Sequence, residues 1–149
     1  SGHSLEQYTI HAGRSIPNIW SIGGFSLSEN TAYACEPFVT TEQGGGFVRN
    51  GKIKNIFAIN SRKKTKNEKA DKLLNFIWEN YNMLPFALRW ITKEWEEKEA
   101  RELLEILVKK KAVQAYPVLI EVNEQRVAQA EHTFIPIESG VTVTTKALT

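Results

Sequence analysis

Five side chains are of types that could act together: His3, His11, His132, Glu36 and Glu131. Taken singly, the histidines decide nothing, because a lone histidine on a strand is more often a structural hydrogen-bonder than a metal ligand. Glu36 and Glu131 say more. Each interrupts an otherwise apolar strand pattern, where an unpaired carboxylate is costly to bury. A bound cation would remove that cost, and pointing outward into water would avoid it. Spacing does not choose between the two, since the residues lie far apart in the chain. Glu131 and His132 are neighbours, so on a strand they face opposite sides and cannot both chelate one ion.

Such residues need elements to hold them. From Glu6 to His11 polar and apolar residues alternate, which predicts a half-buried strand, followed by a loop punctuated by Gly, Pro and Ser through Gly24. Thr31 to Thr40 is the next predicted strand, and Pro37 keeps Glu36 out of the helical region. After Gly44-Gly45-Gly46, the run from Phe47 to Lys54 reads as a hairpin turning at Asn50-Gly51. The period then changes. Ala70, Leu73, Leu74, Ile77, Trp78 and Tyr81 lie on one face of a helix, with Thr65 and Glu68 at capping-box spacing before it. Pro85 suits the first turn of a second helix through Trp90, and Ala100, Leu103, Leu104, Leu107 and Val108 repeat the helical step in a third. From Val118 the strand pattern returns, turns at Asn123-Glu124, runs from Arg126 to Ile135, and resumes from Val141 to Thr145. The fold class is therefore α+β: one unit over 1–149 whose antiparallel strands are interrupted by a helical lobe at 62–116. The three helices and the strand pair after them resemble a winged helix.

Five ordered segments carry a resemblance that spacing alone does not. Gly2-His3-Ser4, Tyr8 through Pro17 (Tyr-Thr-Ile-His-Ala-Gly-Arg-Ser-Ile-Pro), Tyr33-Ala34-Cys35-Glu36-Pro37-Phe38, Ala115-Tyr116-Pro117-Val118-Leu119 and Ala130-Glu131-His132-Thr133 resemble, in this order, the C-terminal half of type 2 methionine aminopeptidases. The insertion resembles the one that separates type 2 from type 1 enzymes, and the compact loops are most similar to archaeal forms. The resemblance implies a pita-bread fold, in which two pseudo-symmetric halves enclose a dinuclear metal site. It implies that His3 is a terminal ligand, that Glu36 is a ligand and the general base or proton shuttle, and that Glu131 bridges two ions. His11 would touch the substrate and stabilise a developing oxyanion, and Tyr116 would line the methionine side-chain pocket. Two divalent ions would supply the Lewis acidity, with cobalt, manganese, iron and zinc all compatible with hard oxygen donors and one imidazole. The family's two aspartate ligands and a further histidine lie in the N-terminal half, so the expected partner is that half, as a separate chain or upstream segment. The expected substrates are nascent polypeptide N-termini. Cys35 stands where the family more often has an aliphatic residue, and it reads as a small buried hydrophobe.

Composition sets the remaining bounds. The chain has 149 residues, 42% hydrophobic and 24% charged, enough for one domain with a real core. A formal charge of +2 does not by itself indicate nucleic acid, although basic runs at Arg62 to Lys66 and Lys109 to Lys111 leave ribosome contact as a second role. A single cysteine excludes an intrachain disulfide framework, and no apolar run approaches the roughly 20 residues of a membrane span. A cytoplasmic setting fits these features. The first residue is Ser, which reads as a processing, splitting or cloning boundary. Two other functions share this ligand set or fold: X-Pro peptidases, and non-catalytic pita-bread homologues that bind RNA or ribosomes.

Overall fold

A computed structural model describes residues 1–146. The chain divides into two compact units, Ser1–Phe47 with Glu121–Thr149, and Val48–Ile120. Among the described residues, the second unit holds all the helices together with three strands.

The first unit is built on a five-stranded sheet in the order β10-β9-β3-β1-β2: β1 (Gly2–Leu5), β2 (Ser15–Ile16), β3 (Ala32–Cys35), β9 (His132–Ile137) and β10 (Gly140–Val143). Every pairing within it is antiparallel. A two-stranded ribbon, β4 (Phe38–Thr40) with β8 (Val127–Gln129), continues the β3–β9 ladder beyond a break. Pro37 causes that break, since it has no N–H to offer the ladder. One strand moves relative to the sequence reading. Glu6 to Thr9 form a tight turn with Tyr8 at φ 59°, so the first strand lies at Gly2–Leu5. Tyr33, nearly fully buried, stacks on Phe134 across the ladder and anchors one face of the sheet.

In the second unit a three-stranded sheet, β6-β5-β7, carries three helices: β5 (Val48–Ile59), β6 (Phe86–Ala87), β7 (Val113–Glu121), α1 (Glu68–Tyr81), α2 (Leu88–Ile91) and α3 (Glu97–Lys109). The 3.6-residue period is realised as the sequence requires. Leu73, Ile77, Leu103, Leu104 and Leu107 are all buried, each contributing roughly 1.5 to 3 kcal/mol of transfer free energy. The cap of α1 is Asn67, whose side chain accepts from Ala70 N–H at 3.0 Å. Thr65 instead donates its hydroxyl to Asp71 at 2.8 Å, so the expected Thr65–Glu68 capping box is not formed. Glu96 caps α3 by accepting from Glu99 N–H, and this bond holds its carboxyl below the usual range.

Two further expectations are corrected. Asn50-Gly51 is not a hairpin turn but lies inside the twelve-residue β5. Gly51 is there because its missing Cβ would come within 2.8 Å of the Val118 carbonyl oxygen on β7. Only the start of the second predicted helix is displaced: Phe86–Ala87 pair with β5, and α2 begins at Leu88. No helix among the described residues is long and apolar enough to cross a membrane.

Candidate metal centre

The geometry of the site starts at Gly2. A Cβ there would collide with the Ala34 carbonyl oxygen, so only glycine lets β1 approach β3 this closely. His3 then sits opposite Ala34, and Ala34 opposite Thr133. Alternation along β3 brings Glu36 to the same face as Ala34 and His3. The two side chains meet, with His3 Nε2 2.8 Å from Glu36 Oε1 and both largely shielded from solvent. Gln129 reaches the other carboxylate oxygen, Oε2, over a long 3.4 Å.

The register places the second acidic residue, Glu131, as well. Cys35 pairs with His132, and on the far side of the Pro37 break Phe38 pairs with Gln129, so the ladder resumes without slippage. Ala130 N–H bonds the Pro37 carbonyl at 3.3 Å within the gap. Glu131 therefore lies directly across from Glu36, two residues after Gln129 and on the same face of the ladder. His132 turns to the opposite face and contacts Thr145 Oγ1 at 3.0 Å. Glu131 is exposed.

His11 completes the group from the connection between β1 and β2. Ala12 N–H bonds the Ser4 carbonyl at 2.9 Å, and Ser4 Oγ accepts from Arg14 N–H at 3.0 Å, which ties this connection to β1. The His11 ring lies 4.1 Å from that of His3, tilted by 59°. Loss of solvent around the ring and the neighbouring His3 lower its pKa from the ordinary 6.5, against an opposing pull from Glu36.

Chemically, a carboxylate oxygen only accepts, so a proton on His3 Nε2 makes the 2.8 Å contact. Two donors bound to one ion at about 2.1 Å, roughly 90 to 109° apart, lie about 3.0 to 3.4 Å from each other. The pair thus needs to open by only a few tenths of an ångström to admit a cation in place of that proton. The donor set, an imidazole and two carboxylates, suits a hard or borderline divalent ion. Among the described residues no three His, Cys, Asp or Glu side chains are gathered closely enough to hold an ion by themselves. Tyr116 belongs to the second unit, where it is half-buried on β7.

Sequence reasoning overlooked Glu121. Burial works to raise its pKa, but backbone N–H groups of Gln125, Gly45, Asn123 and Gly46 outweigh this and hold it low. Its signal was local: a carboxylate just ahead of the Asn123-Glu124 turn, placed to accept the turn's own N–H groups. Cys35 is exposed, contrary to its reading as a buried hydrophobe.

No family model matches the chain. It is 39% identical over 150 residues to a methionine aminopeptidase of Saccharolobus solfataricus, covering 99% of this chain and 49% of that protein. The methionine aminopeptidase of Methanocaldococcus jannaschii is 38% identical over 98% of this chain and 48% of its own length. That of Thermococcus kodakarensis is 39% identical over 97% of this chain and 49% of itself. The chain therefore spans about half the length of the curated relatives it matches. Among solved structures it is similar to a thermophilic Arx1, with a TM-score of 0.77 at 16% identity, over 95% of this chain and 38% of that one. That likeness bears on fold alone, and the fold is that of a pita-bread half.

Proposed function

The chain is homologous, over nearly its whole length, to about half of an archaeal methionine aminopeptidase, and from that premise we propose that it is the C-terminal catalytic half of such an enzyme. The observation that carries the reading is the shared sheet face on which His3 contacts Glu36 at 2.8 Å, with Glu131 across the ladder and His11 beside His3. Cobalt, manganese, iron or zinc, bound as a pair, would supply Lewis acidity for peptide hydrolysis. His3, Glu36 and Glu131 would hold that pair together with two aspartates from the N-terminal half. Glu36, oriented by His3 and Gln129, would take the proton of the attacking water. His11, neutral over more of the pH range because its pKa is lowered, would present a ring N–H to the substrate carbonyl as negative charge develops there. Tyr116 would line the pocket for the methionine side chain.

The N-terminal half is the proposed partner. Ile19, Trp20 and Ile22 are 76%, 85% and 88% exposed on one loop of the first unit, an apolar display that suits an obligate interface of roughly 2,000 Å² or more. Nascent polypeptides in the cytoplasm are the proposed substrates. Retention of His3, Glu36 and Glu131 argues against a non-catalytic homologue, and similarity to methionine aminopeptidases argues against an X-Pro peptidase.

The test is cobalt titration, followed by visible absorbance, of this chain assembled with the N-terminal half of an archaeal relative. Two ions per complex are expected, with tight binding lost in Glu36→Gln and in Glu131→Gln. An assembled complex that binds no cobalt, or binds it equally well in both variants, would overturn the reading.

A further inference from the structure

The second unit carries a groove that the metal centre does not use. It has a volume of about 730 Å³ and lies between β5 and α3, with Phe57, Leu104, Val108 and Ala115 contributing apolar surface. Ile53, 60% exposed, adds an uncovered apolar side chain at its edge. A smaller, separate cavity of about 210 Å³ next to β6 shares Asn55 and Arg101 with it, and these two side chains contact each other at 3.5 Å.

Its charge is one-sided. Lys52, Lys54, Arg101 and Lys109 surround the groove, against Glu105 alone. Arg101 is tied to Glu97 at 2.8 Å, but the Lys109–Glu105 pair is stretched to 4.0 Å between exposed side chains and neutralises little. Lys52 and Lys54 project from a strand whose backbone is also available. β6 pairs only with Ile56 and Phe57, so among the described residues no strand occupies that side of Lys52–Asn55. An apolar floor, a basic rim and an open strand edge are what an added peptide strand requires: main-chain bonds at the edge, and alternate side chains in the groove.

The geometry points to a docking site for an extended acidic peptide segment of a partner, in which apolar residues entering the groove alternate with Asp or Glu facing Lys52 and Lys54. From Arg101 to Lys109 the helix rises about 12 Å, which an extended chain crosses in about four residues. Nucleic acid fits less well. The one aromatic side chain at the groove, Phe57, is buried and offers no stacking platform, and exposed Ile53 lies where phosphates would need solvent or cations. The site uses only residues of the second unit, so it stands or falls independently of the metal centre.

The experiment is titration of the ¹⁵N-labelled full chain with an alternating Leu/Glu peptide of about six residues, a Leu/Lys peptide of the same pattern, and an oligouridylate. The Leu/Glu peptide should shift amides of Lys52–Asn55 and of α3 between Arg101 and Lys109. Its affinity should fall with salt and drop about tenfold in the Lys52→Glu/Lys54→Glu variant, and Ile53→Ser should weaken it at any salt concentration. The His3 and His11 ring signals should not move. Equal binding of the Leu/Lys peptide, displacement of the acidic peptide by oligouridylate, or absence of shifts in β5 and α3 would each overturn the proposal.

Discussion

Gly2→Ala should damage the site without touching any proposed ligand. The added Cβ would fall well inside 3.0 Å of the Ala34 carbonyl oxygen, and that oxygen is backbone in a paired strand. An ordinary C···O separation is about 3.3 Å, so relief requires β1 and β3 to part by on the order of 1 Å. His3 follows Gly2 directly, and a shift of that size takes its contact with Glu36 from 2.8 Å to about 3.8 Å, beyond hydrogen-bond range. The expected destabilisation is that of overpacking, about 1 to 3 kcal/mol. In an assembled enzyme the misplaced ligand should cost about a hundredfold in kcat. Two measurements on the isolated chain suffice: a thermal melt, and the imidazole ¹⁵N signals of His3 and His11. Gly51→Ala is the control, since its Cβ would press on Val118 O at 2.8 Å in the other unit and should lower the melting temperature without altering either histidine. A Gly2→Ala protein with the parental melt and unchanged histidine signals would refute the close-approach argument.

The other predictions follow from burial and charge. Ile77→Ala removes a fully buried side chain and should cost about 2 to 5 kcal/mol, whereas Trp20→Ser on the exposed loop should change stability by less than about 0.5 kcal/mol while improving solubility of the isolated chain; denaturant melts compare the two. His11, with its folded pKa below 6.5, binds fewer protons folded than unfolded near that pH, so its contribution to stability is present above 6.5 and declines as pH falls below it. Glu36→Gln removes the one nearby pull that raises the His11 pKa, so an NMR titration should show His11 titrating lower still. Glu121, with a folded pKa below 4.5, stabilises fully above 4.5 and progressively less as pH falls through its folded value; Glu121→Gln should lower the melting temperature near neutral pH and flatten its acid dependence.

What the sequence disclosed follows the range over which each cause acts. Helices α1 and α3 were legible because Leu73, Ile77, Leu103 and Leu107 repeat at a local period that burial enforces. Asn50-Gly51 was misread because a glycine that permits a turn and a glycine that permits a close strand crossing look alike until Val118, far along the chain, is placed beside it. The α1 cap went to Asn67 because Thr65 was already committed to Asp71, a competition that spacing does not reveal. For the site, residue types alone left Glu36 and Glu131 undecided between a cation and solvent. Only the resumed register across Pro37 brings them face to face, and register across a ladder break is a long-range property. Glu121 is marked only by its position ahead of the Asn123-Glu124 turn, because the partners of its carboxylate are backbone N–H groups and no second side chain points to it.

Methionine release decides whether His3, Glu36 and Glu131 act as one part of a catalytic metal site. The chain is measured alone and then in place of the corresponding half of an archaeal relative, against a Met-Ala-Ser peptide with added cobalt or manganese. The isolated chain should release no methionine, the assembled chimera should release it, and His3→Ala, Glu36→Gln and Glu131→Gln should each abolish that activity. Release by the isolated chain, or a chimera that assembles yet remains inactive, would contradict that reading.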